Sequence, residues 1–356
     1  MPIALALSGG GIRAMVFHLG VLKHLAVRGL LENVAKISTV SGGSLLVGLL
    51  LQQNDFHWPT SEQFLAKCVP KLRTALCARS LQLDVARKLL NPSNWKFILS
   101  RANLLALALK NDWQINVLLG DLPTSPDWAI NATTAESGKR FRFKRSDIGD
   151  YTIGYAKAKH FHLATALAVS AAIPGGLGPL ALDISLFNWN KTSWSDISER
   201  EYRKLHLYDG GVYDNLGLEP FFDVGTQMTK AKGCYILCSD AGAPLETGFD
   251  LGPLNVFRLK RIADIMSDQS KTLRVRAFVN YLKDSPTAGA YLGIKAPLTS
   301  KGGDSSGKFA WSFPTNLRRL NENEFDLLTE HGEKVAEQFR REFGLCEDIA
   351  PPPLSV

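Results

Sequence analysis

A chain of 356 residues, 45% hydrophobic and 21% charged, has the composition of an ordinary globular protein. Its densest apolar runs, Leu45–Leu51 and Leu104–Leu109, fall far short of the roughly 20 residues a membrane-spanning helix needs. The net charge of +7 points to anionic partners, a membrane surface or nucleic acid, although the cations are spread over many positions.

The elements follow from periodicity. The opening Met-Pro-Ile-Ala-Leu-Ala-Leu runs straight into Ser8-Gly9 and reads as a first strand, Ile3–Leu7, not as a signal peptide. Residues Ile12–Arg28 carry apolar side chains at helical spacing, and Gly29 closes that helix. Ala35–Val40 is a second strand, and Ser44–Gln53 is a helix apolar nearly all round, hence buried. This β-turn-α-β-turn-α opening implies an α/β protein with a parallel sheet covered by helices. Residues 54–124 read as helical and irregular, without a strand. Within them Trp95–Lys110 is apolar with cationic ends, the mark of a buried helix, a lid or an interfacial helix. Trp128–Ala132 is a strand, and the Arg/Phe/Arg/Phe/Lys alternation of Arg140–Lys144 predicts a half-buried edge strand defended by charge. His162–Ala172 is a small-residue helix, Leu205–Tyr208 and Cys234–Cys238 are strands, and Val256–Leu282 and Glu322–Phe343 are long amphipathic helices. With no internal repeat or linker, residues 1–356 read as one domain, with 54–124 as a helical insertion or lid and 318–344 as a C-terminal helix. The five cysteines (Cys68, Cys77, Cys234, Cys238, Cys346) include no C-x-x-C pair, so core thiols in a reducing compartment are expected.

Three separated segments carry chemistry. Ser8-Gly9-Gly10-Gly11-Ile12-Arg13 joins the first strand to the first helix, where glycines let backbone N–H groups converge on an anion. A dinucleotide loop is the competing reading, since Gly9-x-Gly11-x-x-Ala14 fits its pattern. That motif requires an acidic residue at the end of the second strand, which here ends at Val40-Ser41. Thr39-Val40-Ser41-Gly42-Gly43 sets a serine on a strand-to-helix turn with small residues after it, as a nucleophile elbow demands; a plain serine N-cap is the alternative. Asp209-Gly210-Gly211 puts a carboxylate at the end of an apolar strand, where α/β ligand sites form, or makes an ordinary Asp-Gly turn. Asp214 and Asn215 nearby read as loop-shaping residues. Anion cradle, nucleophile and base are the parts of an acyl-transfer site. No histidine falls naturally in a triad position. After Asp209 only His331 follows, in a terminal helix where it reads as solvated. This favours a Ser41–Asp209 pair in which the carboxylate acts directly, so that hydrolysis persists below the histidine pKa of about 6.5.

In combination and order these segments resemble the patatin-like phospholipase family, over roughly 3–53 and 125–245. The resemblance implies a three-layer α/β/α fold with a mainly parallel central sheet, and a serine lipid acyl hydrolase acting on a phospholipid, lysophospholipid or related ester. It carries the nucleophile to Ser41, the base to Asp209 and the oxyanion hole to Gly9, Gly10 and Gly11, with Arg13, Gly43, Gly210 and Gly211 in support. Ser170-Ala171-Ala172-Ile173-Pro174 looks like the family's Ser-x-Ala-x-Pro block beside the site. Two positions depart from the pattern: Ser8, where the family often has an acidic residue, and Thr39, at the elbow's first glycine. No cofactor, metal or nucleic-acid partner is implied. The expected setting is cytoplasmic, with peripheral contact to an anionic membrane. A non-catalytic lipid- or nucleotide-binding protein using the same glycine loop is the alternative.

Overall fold

The computed structural model describes residues 1–193, 195, 202–245, 247–249, 255, 257–298 and 305–344, so Cys346 and Val256 lie outside the described residues. The chain opens with β1 (Ile3–Leu7), α1 (Gly11–Val27), β2 (Val34–Thr39) and α2 (Gly42–Gln53). Between 54 and 124 come the helices α3 (Ser61–Gln63), α4 (Val69–Ala78), α5 (Leu81–Arg87) and α6 (Ala102–Asn111), with a π turn and 3-10 turns between them and no strand. Then follow β3 (Asp127–Thr134), β4 (Arg140–Phe143), β5 (Asp147–Asp150), β6 (Gly154–Lys157) and α7 (Leu163–Ser170). Next come β7 (Leu180–Asp183), β8 (Trp189–Asn190), β9 (Lys204–Asp209), the single turn α8 (Gly211–Asp214) and the hairpin β10 (Phe222–Asp223) and β11 (Met228–Thr229). The chain continues through β12 (Tyr235–Asp240), α9 (Phe257–Asp284), β13 (Gly289–Gly293), α10 (Ser305–Ser312) and α11 (Glu322–Phe343).

One mixed sheet runs β13-β12-β1-β2-β3-β4-β5-β6-β8, with β9 paired to β3 and to β7. Its central strands β13, β12, β1, β2 and β3 are parallel; the pairings from β3 to β8 are antiparallel. β1 lies between two strands and under two helical layers, which is why all five of its residues are apolar and buried. Its side chains alternate between two cores. Ile3, Leu5 and Leu7 join the cluster formed with α1, α2, α7 and α11, whereas Ala4 and Ala6 pack with Leu216, Phe222 and Phe278 of α9 on the other face. That gives the three-layer α/β/α arrangement. α1 and α11 approach closely enough that a Cβ on Gly332 would lie 3.1 Å from Gly20 Cα.

Three expectations are corrected here. β4 is not an edge strand: it lies between β3 and β5, with Phe141 and Phe143 fully buried. Its cations are engaged locally, Arg140 with Asn131 Oδ1 (2.8 Å), Arg142 with Asp147 (2.9 Å) and Lys144 with Asp127 (2.6 Å). His331 is not solvated. It is fully buried against Phe17, and its Nε2 donates to the Ile294 carbonyl at 2.7 Å, because the face of α11 that carries it packs on α1. The stretch Trp95–Lys110 is also broken in two, a 3-10 turn over Pro92–Phe97 and then α6, and only α6 is buried.

Candidate active site

The parallel strands β12, β1 and β2 end in register, with Leu7 opposite both Ser239 and Thr39. Their carboxyl ends therefore deliver the loops at 8–11, 40–43 and 240–242 to one edge of the sheet. β9 arrives from the opposite direction on the same edge of β3 as β2: Thr39 pairs with Ile130, and Asp209 pairs with Ala132. Only Asn131 separates the two registers, so the ends carrying Ser41 and Asp209 face each other.

Ser41 caps α2 at φ 50°, ψ −116°, a conformation that costs a non-glycine residue energy and is typical of a nucleophile elbow. The turn is pressed against its surroundings. A Cβ on Gly42 would run into the Gly11 carbonyl, and one on Gly43 would lie 2.6 Å from the Leu7 carbonyl. The Ser41 N–H donates to Ser170 Oγ (3.0 Å), which donates in turn to the Asn131 carbonyl (2.7 Å) and also meets Ser44 Oγ (2.8 Å). Thr39, at the departing position, accepts from Ser44 Oγ (2.8 Å) and from Trp128 Nε1 (2.9 Å). Its hydroxyl is therefore a working part of the elbow's foundation. Asn131 Nδ2 donates to Ser38 Oγ and to the Thr39 carbonyl, both at 2.9 Å.

Asp209 is almost wholly buried. Its N–H donates to the Ala172 carbonyl (2.9 Å), its carbonyl accepts from Thr133 Oγ1 (2.9 Å), and its Oδ1 accepts from the Gly211 N–H (2.7 Å). Gly210 sits against the Asn131 carbonyl, 2.5 Å from where a Cβ would lie. Burial, opposed only in part by the Gly211 N–H and the Ser41 hydroxyl, pushes the carboxyl up to about 7. Oδ2 is buried without a hydrogen-bond partner, so the influence of the Ser41 hydroxyl is one of proximity, not of a formed bond. Burial thus moves the carboxyl toward the range where a histidine ordinarily titrates, in place of the lower one expected of a free carboxylate. None of the seven histidines is hydrogen-bonded to Ser41 or Asp209. His18 lies fully buried between Ser239 Oγ (2.7 Å) and the Ser8 carbonyl (3.0 Å), and burial lowers it to about 4, so it is neutral.

The glycine loop closes the third side. A Cβ on Gly9 would lie 3.1 Å from Ser41 Cβ, which sets the loop against the serine. The Gly9 N–H is taken by the Asn215 carbonyl (3.0 Å), whereas the N–H groups of Gly10 and Gly11 have no acceptor among the described residues. Gly42, the residue after the serine, also has no acceptor for its N–H among the described residues. Gly10 adopts φ 148° beneath the Ala241 carbonyl. Arg13 is buried beside the loop, its Nη2 3.1 Å from where a Cβ on Gly10 would lie. Its Nε donates to the Ala241 carbonyl (3.1 Å) and its Nη1 to the Phe313 carbonyl (2.5 Å), and burial lowers it to about 10. The Ile12 N–H donates to the Asn316 carbonyl (2.8 Å). Asp214 binds the Leu216 and Glu219 N–H groups, as a loop-shaping residue should. Ser170, Asn131 and Thr133 are the supports that motif reading did not assign individually. The sequence marks Ser170 only as part of the Ser-x-Ala-x-Pro block, and Asn131 and Thr133 only as polar side chains in a buried strand.

Among the described residues no group of histidine, cysteine, aspartate and glutamate side chains could hold a metal ion, and the four described cysteines are free. No described helix is long and apolar enough to cross a membrane. No curated protein sequence matches the chain. Among solved structures it is similar to human GIVD cytosolic phospholipase A2, at 14% identity with a TM-score of 0.56, covering 96% of this chain and 59% of that one. The same human protein in complex with methyl gamma-linolenyl fluorophosphonate matches at 14% identity and a TM-score of 0.53, covering 96% and 57%. The chain thus spans under two thirds of those proteins' length, and the likeness shows a shared fold. The patatin-like phospholipase family model matches residues 5–222, a stretch that contains the glycine loop, the elbow and Asp209. By that match the chain belongs to the patatin-like phospholipase family.

Proposed function

We propose that the protein is a serine lipid acyl hydrolase working through a Ser41–Asp209 pair. The observation that carries this reading is the meeting of β2 and β9 end to end, with a strained serine and a buried carboxyl beside free glycine N–H groups. Family membership supports lipid ester hydrolysis in general; the pair and the substrate class are our reading. Asp209 takes the proton of Ser41 as its Oγ attacks the ester carbonyl and passes it to the leaving alcohol as the acyl–oxygen bond breaks; ionised again, it takes a proton from the water that attacks the acyl-serine and returns it to Ser41 Oγ as the fatty acid leaves. The N–H groups of Gly10 and Gly11 hold the oxyanion, joined by Gly42 at the helix start. Gly9, bound to Asn215, fixes the loop. Arg13 braces the loop from behind. The substrate is a phospholipid, lysophospholipid or related lipid ester, and residues 54–124 form a helical insertion that borders the site. The setting is cytoplasmic with peripheral membrane contact; the free thiols of the four described cysteines suit a reducing compartment.

A long-chain fluorophosphonate tests the pair. The wild-type protein should be labelled at Ser41 and lose hydrolysis in step. Ser41→Ala should stay folded, escape labelling and lose roughly 10³-fold or more of the ester turnover. If Ser41 stays unlabelled while the folded protein still binds lipid, the glycine loop serves binding alone and the hydrolase reading is wrong.

A further inference from the structure

The stretch before α6 differs from the rest of the surface. From Val85 to Asn111 the sequence holds five cations, Arg87, Lys88, Lys96, Arg101 and Lys110, and no acidic residue. Within it Leu90 is 83% exposed, Trp95 61%, Ile98 53% and Leu99 87%. These apolar side chains stand on a fixed scaffold. Trp95 Nε1 donates to the Leu89 carbonyl (2.9 Å), Asn94 Nδ2 to the Lys88 carbonyl (2.8 Å), and the Ser93 N–H to Asn91 Oδ1 (3.1 Å). Arg87 and Lys88 pair with Asp84 and Asp112, but Lys96 and Arg101 pair with no carboxylate among the described residues.

This tip is tied to the site by a short path. The Ala102 N–H donates to the Leu177 carbonyl (2.7 Å) and Ser100 Oγ to the Pro179 carbonyl (2.6 Å). The loop so held starts at Ile173, 41% exposed and directly after Ala172, whose carbonyl takes the Asp209 N–H.

We propose that Leu90, Trp95, Ile98 and Leu99, framed by Lys96 and Arg101, form the surface that docks the protein on an anionic lipid layer, next to the site entrance. The proposal rests on the lipid-hydrolase reading. Apolar side chains seek the acyl region, a tryptophan suits the boundary, and unpaired cations meet the charged headgroups. A second copy of the chain is a poor occupant, because the same acid-free cationic stretch would face itself.

Vesicle sedimentation in the Ser41→Ala background, where lipid is not consumed, tests this. The protein should bind vesicles containing phosphatidylserine more tightly than pure phosphatidylcholine vesicles. Ile98→Asp with Leu99→Asp should weaken binding to both at least tenfold, and Lys96→Glu with Arg101→Glu should abolish the preference for phosphatidylserine. The four positions are exposed, and unchanged thermal unfolding of the variants will show that the fold is kept. With Ser41 restored, Ile98→Asp with Leu99→Asp should hydrolyse a water-soluble short-chain ester at the wild-type rate. Undiminished vesicle binding by both double variants overturns the proposal. So does a wild-type protein that binds neither vesicle but self-associates until Ile98 and Leu99 are changed. If binding falls as expected while the wild-type protein hydrolyses no ester, the docking surface stands and the hydrolase reading falls.

Discussion

Asp209 holds a carboxyl that burial has moved to where imidazoles usually titrate. As the proposed base it must be ionised to act, so kcat/KM on a soluble ester should rise about tenfold from pH 6 to pH 8, with one proton's slope about an apparent pKa near 7. The same shift has a stability consequence. The folded carboxyl binds protons more tightly than the unfolded one, so the native state loses stability as pH rises from about 4 through 7. Asp209→Asn should abolish turnover, and its stability relative to the wild type should climb across that window by a few kcal/mol at most, read from urea unfolding at pH 4 and pH 8. A flat difference between the two pH values would show that the carboxyl is not shifted. The pH profile alone would look like a histidine's, so the histidines need separate replacement. His160→Ala, His162→Ala and His206→Ala, none hydrogen-bonded to the pair, should keep hydrolysis within about twofold, measured on the same ester. The two residues of the proposed pair stood out in the sequence because glycine neighbours announce a turn. The pKa did not, because it depends on how deeply the carboxyl is buried, and the residues that hold its backbone in place, Ala172 and Thr133, come from other parts of the chain. His331 was misjudged for the same reason: Glu330 and Gly332 beside it look solvated, yet helical spacing turns His331 inward onto α1.

At the level of elements, the elbow and the glycine loop are each held by something outside themselves. Ser170 is the last residue of α7, and its hydroxyl joins Ser41, Ser44 and Asn131. Ser170→Ala leaves the Ser41 N–H and the Asn131 carbonyl without that partner, which should cost about 1–3 kcal/mol of stability. It should also lower kcat by tenfold or more with KM little changed, since a small displacement of the nucleophile is felt mainly in the chemical step. Gly10→Ala meets two obstacles, a φ of 148° and a Cβ 2.9 Å from the Ala241 carbonyl. Losing one oxyanion donor is worth about 2.7–4 kcal/mol, so its kcat should fall by two orders of magnitude or more. A rise in KM with intact kcat would make the loop a binding element only. β1, α1, β2 and α2 could be read directly because their apolar periods are unbroken. β5, β6, β7 and β8 could not, being two to four residues long and set by antiparallel pairing instead of a pattern of their own. β4 was read as a strand, but its alternating charges disguised its central place, since each cation has a local partner instead of solvent.

At the scale of the molecule, the family match stops at residue 222 but the site does not. Ala241, Phe313 and Asn316 supply the carbonyls that grip Arg13 and Ile12, and α11 covers α1, which begins at the glycine loop. Gly332→Ala should push α11 off α1 and cost about 1–3 kcal/mol, read as a lower urea midpoint with the slope unchanged. The pairing of β2 and β9 along one edge of β3 has a larger consequence. β3 acts as a gauge bar: its short span from Ile130 to Ala132 sets the gap between the proposed nucleophile and base. One residue inserted there would widen that gap by about 3.4 Å and turn the following side chains to the wrong face. The helical stretch 54–124 lies outside that span and can lengthen, shorten or change character while the calibration holds, whereas β4, Ser170 and Ala172 lie against the bar and belong to it.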